Sequence, residues 1–170
     1  MADNLLAQIE HAMPVVMASL QLDDARLGDR RLGLIVVDIV NGFATVGGGN
    51  MAPPTANPKI SQMVLEADRL ARSFATQDWP VLAFLDSHDP GKPEPPYPPH
   101  CAVGTGEENL VPELSWLEDE ANATLVRKDC INGFVGAIRR DGSNALVDWL
   151  NKHEITDALV VGICTDICVM

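Results

Sequence analysis

The stretch Leu32-Gly33-Leu34-Ile35-Val36-Val37-Asp38-Ile39-Val40 decides the fold of this chain. It is a nearly continuous run of Leu, Ile and Val, which is typical of a strand buried on both faces of a parallel sheet. Asp38 interrupts the run near its C-terminal end. Because a carboxylate is costly to bury without a partner, Asp38 is either an anchor for loop backbone or a functional group, and we favour function.

Further apolar segments alternate with helical patterns along the chain. They predict three more short strands, at 81–85, 123–127 and 158–163. Apolar residues recur at helical spacing from Ile60 to Phe74, after a proline that suits a first helical turn, and 144–150 supplies another helical face. This alternation predicts an α/β fold with a three-layer, doubly wound and mainly parallel sheet, which binds ligands beyond the carboxyl ends of its strands.

The length and composition indicate one ordinary globular domain, because 46% of the 170 residues are apolar. Leu5, Ile9 and Met13 lie at helical intervals, so we predict an N-terminal helical extension over 1–30 and the main domain over 31–170. The glycine run at 47–49 is not a phosphate loop, since neither Lys-Ser/Thr nor a helix start follows it.

Charge and cysteine content narrow the partners and the compartment. The net charge of -12 argues against nucleic acid and against an anionic membrane surface, so we expect a small-molecule substrate. No apolar run approaches the roughly 20 residues that a membrane span needs. Four cysteines without a secretion signal indicate reduced thiols and a cytoplasmic protein. The sequence leaves the oligomeric state undecided between a monomer and a homo-oligomer.

Polar side chains stand at the end of every predicted strand. Asp38 closes the first strand, Asp86 and His88 follow the second, Lys128 ends the third, and Cys168 comes shortly after the fourth. Each has a purely structural explanation, such as a backbone anchor, a surface cation or a small core thiol. Because the carboxyl ends of parallel strands share one edge of the sheet, their joint placement favours a functional site.

Cys168 is the candidate nucleophile. It follows Thr165 and Asp166, where a helix would begin, and this predicts that Cys168 lies in the first helical turn. Unpaired backbone N–H groups and the positive end of the helix dipole favour a thiolate there.

A candidate metal site lies nearby in the sequence. The proline-rich segment 89–99 predicts a long loop, which leads to His100. Asp86, His88 and His100 supply a carboxylate and two imidazoles, a ligand set that suits a divalent metal. Zinc is the first expectation, and manganese and iron are the alternatives. Asp-x-His with a distant His is a weak motif without its surroundings.

The sequence resembles the nicotinamidase branch of the isochorismatase-like cysteine hydrolases from the first strand to the last residue. Residues 38–43, Asp-Ile-Val-Asn-Gly-Phe, are similar to the family's Asp-x-Gln-x-x-Phe opening, and 86–105 resemble its metal-binding segment. The sequences of 128–134 and 164–168 resemble those of the plant members in particular. Val40 stands where the family often has Gln, and Cys164 where it often has Ala. The Asp, Lys and Cys of the family's catalytic triad are all present.

The resemblance implies that 31–170 is an isochorismatase-like hydrolase domain with Asp38, Lys128 and Cys168 as its catalytic triad. Cys168 would attack an amide carbonyl and form a thioester, with Asp38 as the proton shuttle and Lys128 lowering the thiol pKa. The backbone N–H groups of Cys164 and Cys168 would form the oxyanion hole, and the family implies a cis peptide between Ile163 and Cys164.

The implied substrate is nicotinamide, which would be hydrolysed to nicotinate and ammonia in NAD salvage. Phe43 and Phe134 are expected to pack on its pyridine ring, while the metal at Asp86, His88 and His100 orients it. The alternatives are another small amide, an isochorismate-like vinyl ether, or a non-catalytic protein that binds zinc through Cys164 and Cys168 or acts as a redox sensor. Because the family's domain continues past the nucleophile, we also expect that this chain is a truncated form with reduced activity.

Overall fold

The computed structural model describes residues 28–92 and 94–169. The N-terminal helical extension predicted over 1–30 therefore lies outside the described residues, apart from 28–30, which are not helical. Within the described ranges, no helix is both long enough and apolar enough to cross a lipid bilayer.

The core of the fold is a sheet of four parallel strands in the order β3-β2-β1-β4. The strands are β1 (Leu32–Val37), β2 (Val81–Asp86), β3 (Ala123–Lys128) and β4 (Asp157–Gly162). All four were predicted from their apolar runs, and the parallel α/β class is confirmed. The register pairs Asp86 with Lys128, so the polar ends of β2 and β3 lie side by side.

Helices cover both faces of the sheet, which confirms the three-layer arrangement. Alternate residues of β1 point to opposite sides: Leu34 and Val36 belong to a core cluster with α2 (Pro58–Thr76), whereas Ile35 and Val37 pack with Trp149 of α4 (Ala145–Lys152). The long helices begin where their caps place them, because Asn57 and Asn144 accept hydrogen bonds from backbone N–H groups of the first turn. Short helical turns complete the fold at Asn41–Ala44 (α1), Ser115–Glu118 (a 3-10 turn) and Gly133–Gly136 (α3).

β1 ends three residues before its apolar run does, so the predicted strand to Val40 is too long. Asp38 has a φ of 54°, in the left-handed region, and this turns the backbone out of the sheet. Its N–H still donates to the Phe84 carbonyl at 2.9 Å, while Ile39 and Val40 are fully buried in the core. The apolar run therefore continues because the turn itself is buried. A left-handed non-glycine residue costs of order 1–3 kcal/mol and is typical of functional sites.

The segment after β4 is a turn and not the predicted helix. Gly162 has a φ of 150°, and a Cβ atom there would lie 2.1 Å from the Val37 carbonyl oxygen, so only glycine fits against β1. The peptide bond between Ile163 and Cys164 is cis, as the family resemblance implied. Beyond it, the N–H groups of Ile167, Cys168 and Val169 all donate to the Cys164 carbonyl, at 3.1–3.2 Å.

Candidate active site

Lys128 and Asp38 form a buried ion pair at the carboxyl end of the sheet. The Lys128 Nζ atom lies 2.8 Å from Asp38 Oδ2, and both side chains are fully excluded from solvent. The same ammonium group lies 3.2 Å from Asp86 Oδ1 and donates to the Cys130 carbonyl at 3.0 Å. The surface-cation interpretation of Lys128 is therefore excluded, since its charge is held among two carboxylates and a carbonyl.

The environment of this pair sets the pKa of both groups. Burial works against the charged form of Lys128, but the carboxylates of Asp38 and Asp86 outweigh it and raise its pKa above the ordinary value, so it is a cation at neutral pH. Burial raises the pKa of Asp38 from 3.8 to about 6, although the Lys128 ammonium counteracts it. A carboxylate with a pKa near 6 is suited to exchanging protons near neutral pH.

Cys168 lies next to Asp38, close enough that each side chain acts on the pKa of the other. Burial, followed by the Asp38 charge, raises the pKa of Cys168 to about 12. This environment favours the neutral thiol over the predicted thiolate. The physical basis of that prediction is missing, because 165–168 form a turn whose N–H groups bond to Cys164 and not a helix whose dipole points at the sulfur. A neutral thiol beside a carboxylate needs that carboxylate as its base.

The two predicted oxyanion donors differ in their hydrogen bonds. The Cys168 N–H donates to the Cys164 carbonyl at 3.1 Å. The Cys164 N–H, in contrast, donates no hydrogen bond to any residue that the structure describes. One of the two predicted donors is therefore free to receive a developing oxyanion.

Asp86, His88 and His100 come together as the sequence predicts. One Asp86 oxygen, Oδ2, lies 3.1 Å from the Nε2 atoms of both histidines, and all three residues are buried. His100 Nδ1 is 2.7 Å from the Pro98 carbonyl, and a hydrogen bond donated there leaves the Nε2 lone pair facing the cluster. A carboxylate oxygen and imidazole nitrogens converging in this way suit zinc or a similar divalent cation.

Glu94 is a further potential ligand that the sequence analysis did not select. Its Oε2 atom lies 3.6 Å from the Nε2 atoms of both His88 and His100. It lies within the proline-rich segment, where spacing gives no signal. The only available hint was that a long loop in a compact domain is usually functional.

A pocket connects the nucleophile with the metal-binding residues. Cys168, Cys164, Asp86 and His100 all line it, together with Phe43, whose ring centroid lies 5.5 Å from that of His100. The rest of its wall comes from residues the sequence analysis missed, Met51, Glu94, Tyr97, Ile131 and Ile167. These lie in loops without periodicity, so only the folded chain reveals them.

Phe134 lies outside the pocket in this structure. The sequence placed it on the substrate ring, but the structure leaves it 54% exposed in α3, and it does not line the pocket. Its neighbour Gly133 lies close to the Phe84 ring. Tyr97 is the aromatic residue that lines the pocket together with Phe43.

The isochorismatase domain matches residues 33–170 of the chain. The chain belongs to the isochorismatase domain family. The matched range includes every strand after the first residue of β1 and all the predicted site residues.

Individual relatives point in the same direction. The chain is 61% identical to Nicotinamidase 1 of Arabidopsis thaliana over 141 residues, which are 83% of the chain and 58% of that protein. A nicotinamidase from Bacillus subtilis has a similar structure, with a TM-score of 0.67 at 28% identity, covering 82% of the chain and 74% of its own. N-carbamoylsarcosine amidase from Thermoplasma acidophilum superposes with a TM-score of 0.66 at 26% identity, over 82% and 71% of the two chains.

The chain thus spans just under three fifths of the length of the Arabidopsis relative. The fold and the family follow directly from these comparisons. The reaction and its substrate are taken up next as proposals.

Proposed function

We propose that the protein hydrolyses nicotinamide to nicotinate and ammonia through a thioester at Cys168. The single observation that carries this proposal is one pocket lined both by Cys168 and by Asp86 and His100 of the metal-binding cluster. A pyridine carboxamide has a ring nitrogen and an amide carbon at opposite ends of a small flat molecule. The nucleophile and the metal-binding residues on the pocket wall match these two reactive ends in their chemistry.

The first half of the reaction forms the thioester. As the Cys168 sulfur adds to the amide carbon, Asp38 accepts the thiol proton, because its pKa near 6 leaves it ionised at neutral pH beside a thiol that is not. The carbonyl oxygen becomes an oxyanion, for which the free Cys164 N–H is a donor. Asp38 then gives its proton to the amide nitrogen, the carbon–nitrogen bond breaks, and ammonia leaves.

The second half of the reaction regenerates the thiol. Asp38, ionised again, takes a proton from water as the water oxygen adds to the thioester carbon. The carbon–sulfur bond breaks, the proton returns to Cys168, and nicotinate departs. Throughout, the Lys128 ammonium 2.8 Å from Asp38 stabilises the carboxylate form of the base. Its role is electrostatic, because its raised pKa keeps it from giving up a proton.

The metal site belongs to substrate binding in this proposal. Asp86, His88 and His100 would hold the ion, with Glu94 close enough to join them, and zinc is the metal we expect. When bound, the ion supplies an acceptor for the lone pair of the ring nitrogen and so orients the ring. Phe43 lies against His100 on the pocket wall and limits the orientation of a flat ring.

We also propose a cytoplasmic location and a role in NAD salvage. All four cysteines are free thiols within the described residues, which agrees with a reducing compartment. Nicotinamide is released when NAD is consumed, and its hydrolysis would return the ring to synthesis as nicotinate.

A substrate series tests the proposal. Ammonia release is measured with nicotinamide, with benzamide, which lacks the ring nitrogen, and with a small aliphatic amide. We expect turnover of nicotinamide, little turnover of the other two, and none in the Cys168→Ala variant, with Cys130→Ala as the matched control. Equal turnover of benzamide and nicotinamide would remove the ring nitrogen from the mechanism and leave the thioester chemistry. Ammonia release by Cys168→Ala would overturn the thioester itself.

A further inference from the structure

We propose that Glu107 is a positioning residue that fixes the backbone carrying both imidazoles of the metal-binding cluster. This inference rests on the proposed metal site, but not on the identity of the amide substrate. Glu107 lies in the loop that follows His100 and touches neither the pocket nor the cluster itself.

The contact that suggests this role is a hydrogen bond to Cys101. The Cys101 N–H donates to Glu107 Oε2 at 2.9 Å. Cys101 is fully buried and has a φ of 45°, a left-handed conformation that is unfavourable for a residue with a side chain. Hydrogen bonds to a carboxylate are stronger than those between neutral groups, so Glu107 is well suited to hold this conformation. It does so one residue after His100.

Cys101 also joins the two histidine segments. Its carbonyl accepts a hydrogen bond from the His88 N–H at 3.0 Å, and the His88 carbonyl accepts one from the Val103 N–H at 2.9 Å. These bonds form a short parallel bridge between 88 and 102. The backbone of His88 is therefore tied to the residue that Glu107 holds, and a displacement of Cys101 would move both imidazoles relative to Asp86.

Glu107 is itself held from the opposite side by the loop that follows β1. Its carbonyl accepts a hydrogen bond from the Gly42 N–H at 2.9 Å. Gly49 passes so close that a Cβ atom there would lie 2.4 Å from Glu107 Oε2. Among the described residues no cation pairs with the Glu107 carboxylate. The carboxylate thus serves backbone geometry and not a surface ion pair.

Two substitutions separate this role from a general loss of packing. Glu107→Gln keeps an acceptor oxygen for the Cys101 N–H, whereas Glu107→Ala removes it. Glu113→Ala is the control, because Glu113 is an exposed carboxylate in the same region of the chain. All variants are made in the full 170-residue chain.

The first measurement is the Zn²⁺ dissociation constant by competition with a chromogenic chelator. The second is hydrogen exchange at the backbone amides of Cys101 and His88 without added metal. For Glu107→Ala we expect about tenfold weaker Zn²⁺ binding and about tenfold faster exchange at both amides. For Glu107→Gln and Glu113→Ala we expect both quantities to stay within about twofold of the unmodified chain.

Neither measurement uses nicotinamide, so failure of the proposed hydrolysis would not affect the result. Unchanged exchange at Cys101 and His88 in Glu107→Ala would overturn the inference even if Zn²⁺ binds elsewhere. So would a Glu107→Gln variant as impaired as Glu107→Ala, since the acceptor oxygen would then not be the reason.

Discussion

Replacing Lys128 by methionine should make the free energy of unfolding depend on pH between pH 7 and 8. In the unmodified chain, the ionisation of Asp38 is already complete in this range and contributes no pH dependence. The folded-state pKa of Asp38 is raised from 3.8 to about 6. A raised carboxyl pKa contributes stability that is fully present below pH ~4 and is lost as pH rises through about 6. Two pKa units correspond to about 3 kcal/mol, and in the unmodified chain this loss is complete near pH 7.

In Lys128→Met the same loss continues to higher pH. The ammonium is the largest influence that lowers the Asp38 pKa, so its removal raises that pKa above 6. Between pH 7 and 8 the free energy of unfolding should then fall by up to about 1.4 kcal/mol per pH unit. At pH 8 the variant should be destabilised by about 3–5 kcal/mol, because a buried carboxylate is left without its partner.

Urea unfolding followed by tryptophan fluorescence at pH 5, 6, 7 and 8 provides the measurement. Arg69→Met is the matched control, since Arg69 pairs with Glu66 at 2.7 Å on the surface and its loss should cost only about 0–1 kcal/mol at every pH. The reasoning would be refuted if the free energy of unfolding changed equally with pH in Lys128→Met and in the unmodified chain between pH 7 and 8. The ammonium would then not control the Asp38 charge.

Four shorter predictions follow from the site and the turn beside it. The acid limb of kcat/KM for nicotinamide should titrate near pH 6, where the Asp38 carboxyl becomes ionised, and a limb below pH 4.5 would exclude it as the base. Iodoacetamide should inactivate by modifying Cys168, because the neighbouring Asp38 carboxylate can accept the thiol proton as the sulfur reacts. Peptide mapping that finds only Cys130 alkylated would contradict this. Chelation of the metal should raise KM for nicotinamide far more than it lowers kcat, and kinetics unaltered after verified metal removal would show that the ion does not orient the ring. Gly162→Ala should cost at least about 3 kcal/mol of unfolding free energy, because its Cβ meets backbone. Gly142→Ala is the control, since Gly142 also has a positive φ but open space around it, and it should cost about 1–2 kcal/mol. Similar losses in the two variants would rule out the close approach at Gly162.

The four strands were predictable from the sequence, because burial on both faces demands an apolar run of recognisable length. Asp38, Lys128 and His88 were accessible for a related reason. In a parallel sheet the carboxyl ends of the strands lie at one edge. A polar residue at the end of an apolar run is therefore expected at that edge, near the others of its kind. The folded chain brings these residues together as expected.

The pocket wall and the state of the nucleophile were not accessible. Met51, Glu94 and Tyr97 lie in loops that have no periodicity, and their positions depend on long-range contacts. The thiolate prediction took the residues around Cys168 for a helix, whereas hydrogen bonds to the Cys164 carbonyl close a turn there. Phe134 is exposed and lies outside the pocket, and the sequence of a four-residue helix carries too little periodicity to indicate this in advance.

The ion pair between Lys128 and Asp38 reaches across an intervening strand. Lys128 ends β3, Asp38 follows β1, and β2 lies between them. Since neighbouring strands are about 4.8 Å apart, the two backbones are separated by roughly 10 Å, which only a long side chain bridges. The length of the Lys128 side chain is therefore matched to the width of the one strand that it crosses. A shorter cationic side chain at the end of β3 could not span this distance, so the length of the Lys128 side chain is itself a requirement of the buried pair.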